Sequence, residues 1–181
     1  MCDSLRIVLC LNIINHKSIK MKKTLFLVLL CATTFSFAQE ITGKTTTSDK
    51  YSNAIRQIND EYFKNDFTTI NRIFADNGSY TINGENYTKN QVIEGFSMHH
   101  KLYNKINMAQ NFIETTVYDE NLNNTVWSHL WGRWEATSKK TGKVRGNPVN
   151  VSFKWVDGKI VNASWIFDPT QLNQEIAASQ N

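Results

Sequence analysis

Beyond residue 31 the sequence has no cysteine; Cys2, Cys10 and Cys31 all precede the body of the chain. That excludes a disulfide framework, a thiolate metal site and a cysteine nucleophile from residues 39–181. Long apolar runs are missing too. The most apolar stretch, Leu25 to Leu30 with a weaker continuation to Phe37, falls short of the about 20 residues a membrane-spanning helix needs. Nor is there a charge excess to exploit. Of 20 Lys+Arg and 16 Asp+Glu, five basic residues and one acidic residue lie in 1–38, so the remainder carries 15 of each. A neutral body gives no electrostatic footprint for nucleic acid or an anionic membrane, and neither partner is expected. GxSxG, Walker, GxGxxG and HExxH patterns are all absent, so the familiar nucleophile, phosphate and zinc signatures are not available. No internal repeat and no low-complexity block interrupts the chain.

What is present begins at Met21 with MKKTLFLVLLCATTFSFAQE. A basic head, an apolar middle and small residues at Ser36 and Ala38 make the order of a secretory signal. Residues 21–38 are expected to be a signal peptide cut after Ala38, and residues 1–20 an upstream extension from a start assigned too early. Cys31 follows Leu30 rather than the small residue a lipidation site needs, so no membrane anchor is expected. The mature protein is expected to be secreted or periplasmic.

Residues 39–48 are polar and read as a flexible lead-in to a domain over 49–178. Tyr51, Ile55, Ile58 and Tyr62 recur at helical spacing, predicting an amphipathic helix over about 49–64. Asn65-Asp66 breaks it and opens a shorter helix with Phe67, Ile70, Ile73 and Phe74 inward. Gly78 to Ile82, Asn83-Gly84 and Glu85 to Tyr87 form a hairpin, because both turn residues tolerate positive φ. Thr88 with Gln91 makes a capping box for a third helix running to about Lys105. Four strands follow, about 107–118, 124–137, 144–156 and 159–167, and a short helix is predicted after Pro169. Helices first and a long meander last predict an α+β fold whose curved sheet wraps the helices and leaves one open mouth.

The fourth of the predicted strand segments carries TVWSHLWGRW, three of the five tryptophans in ten residues. Alternation puts Trp127, His129, Trp131, Arg133 and Glu135 on one face, with Val126, Ser128, Leu130, Gly132 and Trp134 on the other. The first row is too polar for core alone and too aromatic for an ordinary solvent face. It suits a pocket wall or a dimer face, since Trp brings large area and a single donor. Trp165 stands among the apolar positions of the last strand, and Asp168 ends that strand where a carboxylate can look into the mouth. On the third helix His99 falls in the middle of the apolar stripe, either as a core histidine satisfied by one hydrogen bond or as a pocket acid or base. Adjacent His99 and His100 point about 100° apart on a helix, a poor chelating pair, and no metal and no cofactor are expected. Asp76, before Asn77-Gly78, reads as a turn cap. Tyr80 reads as packing with its hydroxyl at the rim or as acid/base equipment.

The order of elements, with WGRWEATSKKTGK and then VSFKWVDGKIVNASWIFDP, resembles the SnoaL-like group of the nuclear transport factor 2-like superfamily over roughly residues 50–175. The resemblance implies a cone-shaped, curved antiparallel sheet around three helices from the N-terminal half. It also implies a small hydrophobic or aromatic ligand in the cone, and a homodimer through the outer sheet face. In SnoaL-like cyclases the aspartate closing the last strand is the acid/base, which implies that role for Asp168. The ionisable groups set among indoles add a further expectation, in which Asp168 abstracts a proton beside a carbonyl while His129 or Tyr80 stabilises the oxyanion. Trp127, Trp131, His99 and Trp165 are then the expected ligand wall. The competing expectation is a non-catalytic dimeric interaction protein using the aromatic face.

Overall fold

A computed structural model describes residues 40–180. The expected signal peptide at 21–38 and the extension at 1–20 lie outside the described residues. Strand β1, Gly43–Thr46, precedes helix α1, Lys50–Tyr62. Helix α2, Thr68–Ile73, leads into strands β2, Phe74–Ile82, and β3, Glu85–Tyr87. Helix α3, Lys89–Leu102, runs directly into β4, Tyr103–Tyr118. Strands β5, Val126–Ser138, β6, Val144–Val156, and β7, Lys159–Phe167, complete the meander, and helix α4, Thr170–Ser179, closes the chain. No helix among the described residues is long and apolar enough to cross a membrane.

Local chemistry places most of these boundaries. The Asp49 carboxylate accepts the backbone N–H groups of Tyr51 and Ser52 and starts α1, whose Ile55, Ile58 and Tyr62 are buried, as an amphipathic stripe requires. Thr88 and Gln91 form the capping box that starts α3. Asn83 and Gly84 take φ of 51° and 89° in the β2–β3 turn, and Asp157 and Gly158 take 49° and 74° between β6 and β7, the conformation that suits strand twist in two-residue hairpins.

The seven strands form one open sheet in the order β1-β4-β5-β6-β7-β2-β3. Two features differ from expectation. The sheet is mixed, because β2 runs parallel to β7, with Tyr80 opposite Ala163 and Ile82 opposite Trp165. And 43–46, read as flexible lead-in, is an edge strand on β4, where the hydroxyls of Thr45 and Thr116 meet at 2.7 Å; a threonine run has the β-branched shape strands favour. Curvature comes from β4. Its register with β5 shifts between Asn104 and Asn107 and between Ala109 and Phe112, where Lys105 and Gln110 adopt φ of 52° and 51°. Such bulges bend a strand and increase its twist, which curls the meander over α1 and α3.

A buried chain of hydroxyls ties the helix layer to the sheet. Trp155 Nε1–H donates to Ser128 Oγ at 2.8 Å, Ser128 meets Thr115 at 2.7 Å, Thr115 meets Ser52 at 2.9 Å, and Ser52 Oγ donates to the Asp49 carboxylate at 2.8 Å. Every donor has an acceptor when the chain runs from Trp155 to Asp49, so no buried polar atom along it is left unmatched. Ser128→Ala strands the indole N–H of a buried tryptophan. It is expected to cost about 1–3 kcal/mol, read as a lower urea midpoint at unchanged m-value.

Candidate functional site

The concave side of the sheet and the helices enclose a cavity of about 100 Å³. Helix α1 contributes Ile58, Asn59 and Tyr62 to its wall, and α3 contributes Phe96 and His99. From the sheet come Tyr103 and Met108 on β4, Leu130 and Trp134 on β5, Val149, Val151 and Phe153 on β6, and Trp165 and Phe167 on β7, with Asn147 at the rim of β6. Helix α4 adds Gln171 and Leu172. The wall holds no Asp, Glu, Lys or Arg; its titratable groups are one histidine and two tyrosines.

Gly132 sits on the cavity face between Leu130 and Trp134. A Cβ there would lie 2.7 Å from Met108 Sδ and 2.9 Å from its Cγ, closer than atoms pack, so the missing side chain is what lets Met108 lie across β5. The β5–β6 register runs unbroken from Val126↔Trp155 to Thr137↔Val144. The irregular residues lie on β4, and β5 keeps its alternation.

Three aromatic side chains from three elements meet in the wall. Trp134 Nε1–H donates to Tyr62 Oη at 2.9 Å, and Tyr62 Oη lies 2.8 Å from His99 Nδ1. The His99 ring also stands edge-on to the Trp134 ring, with centroids 5.8 Å apart. A tyrosine hydroxyl has one hydrogen to give. With Trp134 already donating to it, Tyr62 matches its own hydrogen only by donating to Nδ1, since it has no other acceptor among the described residues. The imidazole proton is thereby assigned to Nε2. That Nε2–H makes no hydrogen bond among the described residues and belongs to a side chain on the cavity wall. Burial, with a smaller contribution from neighbouring His100, pushes the His99 pKa down to about 4, so the ring is neutral in the ordinary pH range. Burial likewise raises the Tyr62 hydroxyl well above the usual tyrosine range. His100 is spent elsewhere: its Nε2 lies 2.7 Å from the Tyr62 carbonyl, to which it donates.

Among the residues singled out from sequence, His99 and Trp165 line the cavity, and the others stand apart from it. Trp127, His129 and Trp131 occupy the convex face of β5. There His129 Nδ1 lies 3.1 Å from Glu114 Oε1, its ring stacks on Trp131 at 5.4 Å, and Trp131 meets Phe112 at 5.8 Å. Lys154 sits over the Trp127 ring. Tyr80 is buried, but its hydroxyl closes the bulge in β2 by donating towards the carbonyls of Ala75 at 2.6 Å and Ile160 at 3.1 Å; burial pushes its pKa up to about 12. Asp168 is exposed and accepts from the backbone N–H of Thr170 at 2.9 Å and its hydroxyl at 2.6 Å, which hold its carboxyl below the usual range. It holds the turn that leads into α4, whose N-cap position is Pro169. Asp76 pairs with Lys89 on the surface.

Tyr62, Trp134 and Tyr103 are the wall residues that sequence reasoning passed over. Tyr62 and Trp134 were assigned to apolar faces, where each must still match a polar tip. An indole on an otherwise aliphatic strand face, with a tyrosine and a histidine on inward helix stripes, was the available signal.

No protein-family model matches the chain, and no curated protein matches it by sequence. Solved structures do match in shape. IdmH of Streptomyces antibioticus, a candidate polyketide cyclase, superposes with a TM-score of 0.54 at 13% identity, over 71% of this chain and 99% of its own. A SnoaL-like polyketide cyclase of Agrobacterium tumefaciens gives 0.52 at 12% identity over 71% and 98%. A nuclear transport factor 2-like protein of Burkholderia thailandensis gives 0.51 at 16% identity over 68% and 95%. The chain has the nuclear transport factor 2-like fold. Within this fold the cone is the shared feature, and its wall is particular to each chain. In this nuclear transport factor 2-like chain the wall is apolar apart from the histidine relay and a few amides.

Proposed function

We propose that the protein is an exported small-molecule-binding domain whose ligand occupies the cone cavity, and that it works as a homodimer through the convex face of the sheet. The observation that carries the binding reading is the His99 ring, fixed by Tyr62, with an unmatched Nε2–H in an apolar wall. At a donor that opens on the cavity, a ligand acceptor takes the place of water.

Binding without turnover is favoured over acid/base catalysis on the same geometry. Proton abstraction needs a base within hydrogen-bond reach of the substrate. The wall carries no carboxylate, the His99 lone pair is committed to Tyr62, and Asp168 is held at the start of α4. The likeness to polyketide cyclases supports the cone as a ligand site and leaves the reaction open to a different chemistry.

Native mass spectrometry of gently purified protein tests the reading. A small-molecule adduct that disappears when Val149→Phe fills the cavity supports it. A bare mass, together with no binding of small aromatic compounds by the wild type, removes it. For the assembly, Phe112 and Trp131 are 52% and 42% exposed beside the His129–Glu114 pair, an apolar strip of the sort that marks an interface. Trp131→Arg is expected to convert a dimer to monomer by light scattering while leaving ligand binding within about twofold, since surface sites far from a pocket act independently of it. N-terminal sequencing of the exported product is expected to begin at Gln39.

A further inference from the structure

The neutrality of residues 39–181 is an average, and the fold undoes it at one end of the sheet. Tyr103 pairs with Ser138, and the Lys139 N–H donates to the Leu102 carbonyl at 2.9 Å. The end of α3, the start of β4 and the β5–β6 turn therefore meet there. The end of α4 joins them, because Lys140 Nζ donates to the Ala178 carbonyl and Ser138 Oγ to the Glu175 carboxylate. The segments 95–113, 136–153 and 169–180, which run through this tip, hold Lys101, Lys105, Lys139, Lys140, Lys143 and Arg145 against a single acid, Glu175. Glu175 is buried and faces Arg145. The next acid along β5, Glu135, is paired with Arg133 at 3.0 Å. All five lysines are exposed and form no ion pair among the described residues.

Helix capping accounts for two of these lysines. Lys139 Nζ donates to the His100 carbonyl at 2.6 Å and Lys140 Nζ to that of Ala178, at the ends of α3 and α4 where the helix dipole favours a cation. Capping does not account for Lys101, Lys105 and Lys143, whose ammonium groups have no hydrogen-bond partner among the described residues. Like charges gathered at one tip raise the local potential and draw in an anionic partner. Three features favour a bilayer among polyanions. Five of the six bases are lysine, a point charge, whereas recognition of individual phosphates favours the bidentate arginine fork. No aromatic residue lies in 138–146, so the turn offers no ring on which a nucleobase could stack. Val144, 72% exposed, stands between Lys143 and Arg145, and an apolar residue among cations suits the boundary between headgroups and acyl chains. We infer that this tip docks on an anionic lipid bilayer, with Lys101, Lys105, Lys139, Lys140 and Lys143 towards the headgroups. Docking there sets α4, which supplies Gln171 and Leu172 to the cavity wall, beside the membrane.

Co-sedimentation of the purified protein with vesicles tests this, using equal parts of phosphatidylglycerol and phosphatidylcholine against phosphatidylcholine alone. Binding is expected only to the anionic vesicles at about 50 mM salt, and is expected to be lost at about 500 mM, where screening shortens the reach of exposed charge. Each basic residue close to an anionic surface is worth about fivefold in partitioning. Replacing Lys101, Lys105 and Lys143 together with Ala is therefore expected to weaken binding about a hundredfold. The same change at Lys44, Lys50 and Lys159 removes equal charge elsewhere, since Lys44 pairs with Val117 and Lys159 with Val156 at the opposite ends of β4 and β6. That variant is expected to bind within about twofold of the wild type. Circular dichroism checks that both variants are folded. Equal loss in the two variants overturns the tip as the docking surface. Binding to neither vesicle at low salt, or equally to both, overturns the inference. Tighter binding to a single-stranded oligonucleotide than to anionic vesicles replaces the bilayer with nucleic acid. The cone cavity is untouched by any of these outcomes, because the tip is read from charge alone.

Discussion

Lowering the pH from 6.5 to about 4 is expected to destabilise the protein by on the order of 3 kcal/mol through His99 alone. The folded-state pKa, about 4, lies below that of an exposed histidine. Between the two values the unfolded chain takes up a proton that the folded chain refuses. The unfolded state then binds more protons, so stability rises with pH through this window and falls as acid is added. The contribution is fully present above the unfolded pKa and fully lost below the folded one. His100 is shifted in the same direction, chiefly by burial, and adds to the loss. The carboxylates of Asp49, Glu61, Asp66, Asp119 and Asp168 are all lowered by hydrogen bonds, and Asp76 by Lys89. They act further down, below about pH 4, where they are forced to protonate. Urea unfolding at pH 7.0 and pH 4.5 measures the difference, and His99→Gln should flatten it. A His99 proton resonance that titrates above pH 6 would contradict the burial on which the argument rests.

The second large effect is expected at the C-terminal helix. Glu175 is 3% exposed, accepts from Ser138 Oγ, and faces the Arg145 guanidinium at 3.9 Å. Arg145 Nε is itself buried without a partner. Glu175→Ala therefore leaves a half-buried positive charge uncompensated and a serine hydroxyl without its acceptor, at a cost of about 2–4 kcal/mol. Glu175→Gln keeps an acceptor and should cost less. The consequence reaches the cavity, because α4 also supplies Leu172 to the cluster around Tyr62, Tyr103, Ile106 and Ala136, and Gln171 and Leu172 to the cavity wall. Weakening the latch should raise hydrogen exchange and protease cleavage in 170–179 before the rest of the domain melts. Unchanged melting and unchanged cleavage in this variant would show that Glu175 does not hold the helix.

Much of the architecture was readable in advance because it is fixed by neighbours in sequence. The turn at Asn83-Gly84 and the capping box at Thr88 and Gln91 each depend on a few adjacent residues. The end of α3 was less readable. Its apolar stripe continues through Tyr103 and Ile106 at helical spacing, yet Tyr103 already begins β4; both remain buried, so burial alone did not distinguish helix from strand. For the site, the two faces of β5 were separated correctly, but the aromatic and ionisable face was favoured as the ligand wall. Burial went to the other face, where Ser128, Leu130 and Ala136 pack inward and Trp134 lines the cavity. Periodicity says which residues share a face; it does not say which face the helices cover.

By itself the sequence determined the α+β order of elements, the caps and turns that bound them, the lack of thiol chemistry in residues 39–181, and the neutral balance of that segment. Each of these is a matter of composition or of contacts within a few residues. Only the tertiary structure decided the parallel pairing of β2 with β7, the curl imposed by the bulges of β4, and the meeting of Trp134 with Tyr62 across 72 positions and of Tyr62 with His99 across 37. The hydrophobic effect drives burial without direction, and a polar tip on a buried ring acquires its partner only when distant elements have been packed together.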